Sequence, residues 1–149
     1  MLSYKINGSI IFDLFSGSGS LGIEALSRGA KMVYFVDDSI KSLKLINSNI
    51  SLLKDLEGEY RIIKSDAIRF IKNSKGLHAD IIFIDPPYSI DFKVMKELFA
   101  SIKQSGIAGQ STDMVYEYFF KRDISSEIEG LKKNRDSFFG DKIVSYISI

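Results

Sequence analysis

Short apolar runs alternate along this chain with longer segments in which apolar residues recur every three or four positions. The runs 10–15, 32–36 and 81–84 are almost wholly apolar, which is typical of parallel strands covered on both faces. The intervening segments 21–28 and 40–53 have the spacing of amphipathic helices. Alternating strands and helices predict an α/β domain with a doubly wound, mostly parallel sheet. The predicted strands are 10–15, 32–36, 60–64, 81–84, 114–119 and 142–149, and the predicted helices are 21–28, 40–53, 67–73 and 92–103.

The last quarter of the chain gives a weaker signal. Residues 125–133 are polar and predict a helix or a loop, and residues 138–141 predict a tight turn that lets the last strand run antiparallel to its neighbour. Lys132, Lys133 and Arg135 precede Phe138 and Phe139. This group is interpreted as a solvated basic face beside a buried aromatic pair, with a basic and aromatic RNA-binding patch as the alternative.

Length and composition narrow the class of protein. A chain of 149 residues predicts one domain, spanning 1–149. With no cysteine and one histidine, we expect no disulfide and no metal site. No apolar run approaches the roughly 18 residues of a membrane helix, and no signal peptide is apparent, so we expect a cytoplasmic protein without a membrane partner. The net charge of +1 gives no bulk electrostatic argument for nucleic acid.

A glycine-rich turn follows the first predicted strand. Gly17, Gly19 and Gly22 fit the G-x-G-x-x-G pattern, whose usual interpretation is a dinucleotide site and hence an NAD-linked oxidoreductase. Asp13 favours a different ligand, because an acid at the mouth of the loop repels a pyrophosphate and attracts a cation. S-adenosylmethionine carries two cationic groups, an ammonium and a sulfonium. The NAD-linked enzyme remains the alternative from another class.

Two further acids follow predicted strands. Asp37 lies 18 residues after Gly19, where an acid accepts hydrogen bonds from ribose hydroxyls in NAD and S-adenosylmethionine sites alike. Asp66 is placed to reach an adenine edge or to cap the following helix. Since the carboxyl ends of parallel strands share one edge of the sheet, one ligand is expected to contact all these positions.

The sequence Asp85-Pro86-Pro87-Tyr88 follows the fourth predicted strand. Two prolines stiffen the segment, so the Asp85 carboxylate and the Pro86 carbonyl become two rigid acceptors side by side. Such acceptors hold both N–H bonds of an exocyclic amino group and favour pyramidal nitrogen, whose lone pair is then free to attack a methyl sulfonium. Tyr88 is placed to stack on the base. A rigid turn without chemistry is the alternative for this motif alone.

These motifs together resemble the bacterial 16S rRNA guanine-N2 methyltransferases. The likeness rests on Asp13-Leu-Phe-Ser-Gly-Ser-Gly, on the run 22–30, on Asp37, on Asp66-Ala67 and on Asp85-Pro-Pro-Tyr88, with 139–141 also similar. The resemblance implies a Rossmann-like methyltransferase fold with S-adenosylmethionine as donor and small-subunit rRNA as partner, in a chain expected to be monomeric. The implied donor-binding residues are Asp13, Phe15, Ser16, Gly17, Gly19, Asp37, Asp66 and Ala67, and the implied catalytic residues are Asp85, Pro86, Pro87 and Tyr88.

This chain departs from the family pattern at Asp37 and before the first strand. Asp37 stands where the family usually has glutamate, a longer side chain. Relatives carry a few dozen residues, including a basic segment, before the first strand, and residues 1–6 resemble only the end of that segment. An inactive, donor-binding fold is therefore one alternative. Adenine-N6 and glutamine-N5 methyltransferases, which share the Asp-Pro-Pro-Tyr type of motif, are another.

Overall fold

A computed structural model describes residues 3–149; Met1 and Leu2, part of the 1–6 segment discussed above, lie outside the described residues. Seven strands form one sheet in the order β3-β2-β1-β4-β5-β7-β6. The first five strands are parallel to one another, and β7 is antiparallel to both of its neighbours. The predicted α/β class and doubly wound sheet are therefore confirmed. The elements are α1 (Ser3–Ile6), β1 (Ile10–Asp13), α2 (Ser20–Ser27), β2 (Met32–Asp37), α3 (Ile40–Ile50), β3 (Glu59–Lys64), α4 (Ala67–Lys72), β4 (Ile81–Ile84), α5 (Phe92–Ser105), β5 (Asp113–Phe119), β6 (Lys132–Phe139) and β7 (Lys142–Ser148).

The two faces of the sheet bury separate apolar clusters. Helices α4 and α5 cover one face, where Phe12, Ile82 and Phe99 belong to the larger cluster. Helices α2 and α3 cover the other face, where Ile11 and Phe35 belong to the smaller cluster. Because neighbouring residues of a strand point to opposite faces, the continuous apolar runs of β1 and β4 supply both clusters at once.

The structure corrects the prediction for the C-terminal region. Residues 132–139 form strand β6, where the sequence predicts a helix or loop to 133 and a turn from 138. Strand β6 is an edge strand whose residues are exposed or half-buried, so it lacks the apolar alternation that marks a strand. The predicted tight turn is present at 139–142 and joins β6 to β7, which lies antiparallel to β5 as expected.

The interpretation of Phe138 and Phe139 as a buried pair is wrong. Their exposed fractions are 71% and 52%, because they lie at the tip of the β6–β7 hairpin. Smaller differences concern element ends. Helix α3 stops at Ile50 rather than at 53, and β1 stops at Asp13 rather than at 15.

Gly22 has a packing role in this fold. It lies in α2 against β2, and a Cβ added there would approach the Phe35 ring to 2.3 Å. The third glycine of the G-x-G-x-x-G pattern therefore permits the close contact between helix and sheet. In contrast, Gly17 has a φ of +55° with open space beside its Cα, as a loop that receives a ligand requires.

Candidate active site

A cleft of about 770 Å³ opens at the carboxyl ends of the parallel strands. This volume is within the usual range for small-molecule sites. Its wall contains nine of the twelve residues predicted for the site: Phe15, Gly17, Asp37, Asp66, Ala67, Asp85, Pro86, Pro87 and Tyr88. Asp13, Ser16 and Gly19 lie behind this wall and do not line the cleft. The structure thus brings the two ends of the predicted site to one cavity.

Asp13 supports the glycine loop from below. Its carboxylate is buried, with 1% of the residue exposed, and accepts a hydrogen bond of 3.2 Å from the Gly22 N–H. This contact places an acid at the N-terminal end of α2, where the helix dipole favours negative charge. Burial, with smaller contributions from Asp85 and Asp37, raises the pKa of Asp13 to about 7. The helix end that holds pyrophosphate in dinucleotide sites is therefore already occupied by a carboxylate.

Asp37 ties β2 to the glycine loop. One carboxylate oxygen accepts 2.9 Å hydrogen bonds from the Gly17 N–H, and the other accepts from the Ser39 N–H. Ser16 adds a second tie, since its hydroxyl donates to the Asp13 carbonyl and accepts from the Val36 N–H. Each carboxylate oxygen retains acceptor capacity, so Asp37 can still accept from ribose hydroxyls in the cleft.

Asp66 both caps a helix and lines the cleft. Its side chain caps α4 by accepting a 2.9 Å hydrogen bond from the Arg69 N–H. It also lines the cleft together with Ala67 and Ile68. The helix start thereby presents an acid and an apolar surface to the same end of the cleft as Asp37.

The opposite end of the cleft carries a row of charged side chains that the motif analysis missed. Ile84 is in register with Tyr116 on the neighbouring parallel strand, so the next residues, Asp85 and Glu117, lie side by side. Glu117 in turn accepts a 3.0 Å hydrogen bond and ion pair from Lys142 of β7. The sequence signal for this row is the single acid inside the otherwise apolar run 114–120.

The ionisation of Asp85 is tuned by this environment. Burial raises its pKa to about 6, the charge of Glu117 adds to that increase, and Lys142 opposes it. Hydrogen bonding to Glu117 raises the pKa of Lys142 above its usual range, so this lysine stays charged at neutral pH. The pKa values of Asp13 and Asp85 are both raised, so their ionised forms are disfavoured in the empty site. A positively charged ligand stabilises those ionised forms, and the site therefore favours such a ligand.

The raised pKa of Asp85 leads to a prediction about pH. Below about pH 6 the carboxyl is protonated and loses acceptor capacity, so we expect the rate of the reaction that the family resemblance implies to fall with a midpoint near that pH. The rate should be level above about pH 7, where Asp85 is ionised. Single-turnover rates between pH 5 and pH 8 at saturating donor test this, with the folded fraction followed by circular dichroism. A rate that does not change between pH 5 and pH 7 would show that Asp85 ionisation is irrelevant.

A buried polar network fixes the loop after the motif. Arg122 donates a 2.9 Å hydrogen bond to the Ile90 carbonyl and pairs through its other nitrogens with Glu127. The Ile90 N–H donates to the Pro87 carbonyl, so the network reaches the diproline segment. Glu127 is 2% exposed and also accepts from the Tyr116 hydroxyl. Burial and the charge of Glu127 raise the pKa of Tyr116, which keeps this hydroxyl a donor.

Two further features are absent from residues 3–149. Within that range, no helix has the length and apolar character needed to cross a membrane. The same residues contain no group of three or more potential metal ligands of the His, Cys, Asp or Glu type.

The chain was then compared with known proteins. The family described as "Conserved hypothetical protein 95" matches residues 1–148. The Bacillus subtilis protein named "Putative rRNA methyltransferase YlbH" is 31% identical over 144 residues, which are 94% of this chain and 76% of that protein. The chain belongs to this family. The small-subunit rRNA methyltransferase D of Haemophilus influenzae is 37% identical over 84 residues, covering 56% of this chain and 44% of that protein. The family resemblance predicted from the motifs is confirmed.

Solved structures agree on the fold. The structure "Putative methyltransferase yhhF from Escherichia coli" superposes with a TM-score of 0.84 at 24% identity, covering 98% of this chain and 80% of that one. A second structure is described as "SMU.776, a putative methyltransferase complexed with SAH", where SAH is S-adenosylhomocysteine. It has a TM-score of 0.78 at 16% identity and covers 97% of this chain and 46% of that one. The Rossmann-like methyltransferase fold is therefore confirmed.

Proposed function

We propose that this protein transfers a methyl group from S-adenosylmethionine to the N2 amine of guanine in small-subunit rRNA, acting as a cytoplasmic monomer. The observation that carries the proposal is the cleft, which has the Asp85–Tyr88 segment at one end and Asp37 at the other. Membership of a family that contains rRNA methyltransferases supports the reaction type. The small-subunit relative supports the choice of rRNA.

The residues of the cleft fit this donor. S-adenosylmethionine supplies an electrophilic methyl group on a positively charged sulfur. Asp37 is assigned to the ribose, and Asp66 with Ala67 to the adenine. Gly17 and Phe15 are assigned to the methionine part, with Asp13, Ser16 and Gly19 holding the loop beneath them. The reluctance of Asp13 and Asp85 to ionise is offset by a cationic ligand.

At the acceptor end, the protein positions the nucleophile. The Asp85 carboxylate and the Pro86 carbonyl accept the two N–H bonds of the amine, and Tyr88 stacks on the base. The nitrogen lone pair forms the new N–C bond while the methyl–sulfur bond breaks and its electron pair stays on sulfur. The proton released from the methylated nitrogen goes to Asp85 or to water. Holding donor and acceptor in line supplies a large share of the rate.

Exposed aromatic side chains next to this end support an RNA substrate. Phe119 lies 6.0 Å from Tyr88 and 4.9 Å from Phe120, measured between ring centroids. The Lys121 ammonium lies over the Phe120 ring, and Phe139 follows at the hairpin tip. Aromatic rings interleaved with cations bind unpaired bases with little regard to sequence. We assign this surface to the nucleotides that flank the target guanine; it shares only Phe139 with the basic and aromatic patch considered above.

Titration calorimetry separates this proposal from the NAD-linked alternative. We expect S-adenosylhomocysteine to bind at one site per chain. NAD should give no measurable heat, since the Gly17 and Gly22 N–H groups already donate to carboxylates. Tighter binding of NAD, or no binding of S-adenosylhomocysteine, would contradict the proposed donor.

A further inference from the structure

The side chains of Asp85, Glu117 and Lys142 lie in a row across three neighbouring strands. Asp85 follows β4, Glu117 is in β5, and Lys142 begins β7. The register pairs Ile84 with Tyr116 and Phe119 with Lys142, so all three side chains point to the same face of the sheet. All three also line the cleft. From β4 to β7, the row therefore presents two hydrogen-bond acceptors, Asp85 and Glu117, and then one donor, Lys142.

We infer that Glu117 and Lys142 read the Watson–Crick edge of the target base and select guanine. This inference rests on the proposed function. The edge of guanine presents the N2 amine as donor, N1–H as donor and O6 as acceptor. With N2 held by Asp85, N1–H meets the Glu117 carboxylate and O6 meets the Lys142 ammonium. Each group of the base finds its complement in the row.

The same row rejects adenine. When the N6 amine of adenine is held by Asp85, the adjacent N1 is an acceptor and faces the Glu117 carboxylate, which is also an acceptor. A buried polar group left without a partner in this way is costly, and such mismatches discriminate strongly between substrates. Asp85-Pro86-Pro87-Tyr88 holds an exocyclic amine of either base, so the choice between them falls to β5 and β7.

The ion pair between Glu117 and Lys142 orients both side chains of the row before a base binds. Their Nζ and Oε1 atoms are 3.0 Å apart, and the side chains are 47% (Lys142) and 23% (Glu117) exposed. The Lys142 ammonium also lies 5.9 Å from the Tyr88 ring centroid, beside the expected stacking position. Both charged groups are thus oriented by the protein and remain accessible from the cleft.

A single base analogue, compared with guanine, distinguishes the two contacts. In reconstituted small subunits, the methylated guanosine, once mapped, is replaced by 2-aminopurine, which keeps the N2 amine but has an acceptor at N1 and no O6. Glu117→Gln can donate its amide to that N1. We expect this variant to lose at least about tenfold in kcat/KM on guanine and to gain about tenfold on 2-aminopurine. Lys142→Met should lose about tenfold on guanine and nothing on 2-aminopurine, because that base has no O6 to bind.

The assays are run at pH 8, where Asp85 is ionised whether or not Glu117 is charged. Lys54→Met is the matched control, since Lys54 is exposed in the loop between α3 and β3 and does not line the cleft. It should not change the ratio of the two substrates. Equal losses on both bases for Glu117→Gln and Lys142→Met would overturn the inference and leave the proposed function intact. Failure of the unchanged protein to methylate any guanine would overturn both.

Discussion

Asp85→Asn is expected to lower the methyl-transfer rate by about 100- to 1000-fold, the usual cost of removing one preorganised polar group from a transition state. Asparagine keeps one acceptor oxygen but replaces the other with an NH₂ group, which points a donor at the N–H bonds of the base. The amine then loses the charge-assisted hydrogen bond that favours pyramidal nitrogen and stabilises the positive charge developing on it. Single-turnover rates with small subunits and radiolabelled donor measure the effect.

The substitution should slow the methyl-transfer step and leave the affinity for the donor unchanged. Asp85 lies at the opposite end of the cleft from Asp37, and asparagine is isosteric, so S-adenosylhomocysteine should bind Asp85→Asn no more weakly than the unchanged protein. The variant should also fold normally, because the substitution removes a carboxyl whose ionisation is opposed by burial. A variant that binds the donor and methylates at the normal rate would show that Asp85 has no part in the reaction.

Asp37→Ala is expected to weaken S-adenosylhomocysteine binding by about 100-fold. Two effects add. The ribose loses its acceptor, and the Gly17 and Ser39 N–H groups lose the carboxylate that fixes the glycine loop. Hydrogen bonds to charged groups are each worth about 1.5–3 kcal/mol, and 1.4 kcal/mol is a factor of ten in affinity. Calorimetry with the same ligand measures the change.

Glu57→Ala is a suitable control for this experiment. Glu57 is an exposed acid in the loop between α3 and β3, and it does not line the cleft. Its replacement changes the net charge by the same amount as Asp37→Ala and should leave the affinity unaltered. If both variants bind equally well, the assignment of Asp37 to the ribose is wrong.

The sequence predicts the parallel part of the fold well for a physical reason. Strand β4 is buried on both faces and lies between Asp80 and Asp85-Pro86, so its limits follow from composition, whereas β1 is followed by the apolar residues Leu14 and Phe15 and ends earlier than predicted. Strand β6 escapes the same reasoning, because an edge strand exposed to solvent has no face that requires apolar residues. The conformation of Phe138 and Phe139 depends on β6 and was missed with it.

The residues of the candidate site also fall into two groups, those that the sequence predicts and those that only the fold brings to the cleft. Residues that belong to local motifs, such as Asp85 and Gly17, are recognisable because backbone chemistry demands them at fixed spacing. Glu117 and Lys142 reach the cleft only through the pairing of β4 with β5 and of β5 with β7. These residues are far apart in the sequence, so no local motif indicates that their side chains meet in the cleft. The buried position of Asp13 behind the loop likewise follows from the packing of α2 and not from its place in the motif.

The most direct test of the account is the identity of the methylated product. Small subunits lacking the modification are incubated with the purified chain and labelled S-adenosylmethionine, and the rRNA is digested to nucleosides for mass spectrometry. We predict label in N2-methylguanosine, and none after incubation with Asp85→Asn for the same time. Label in N6-methyladenosine, or in protein glutamine instead of rRNA, would contradict the account.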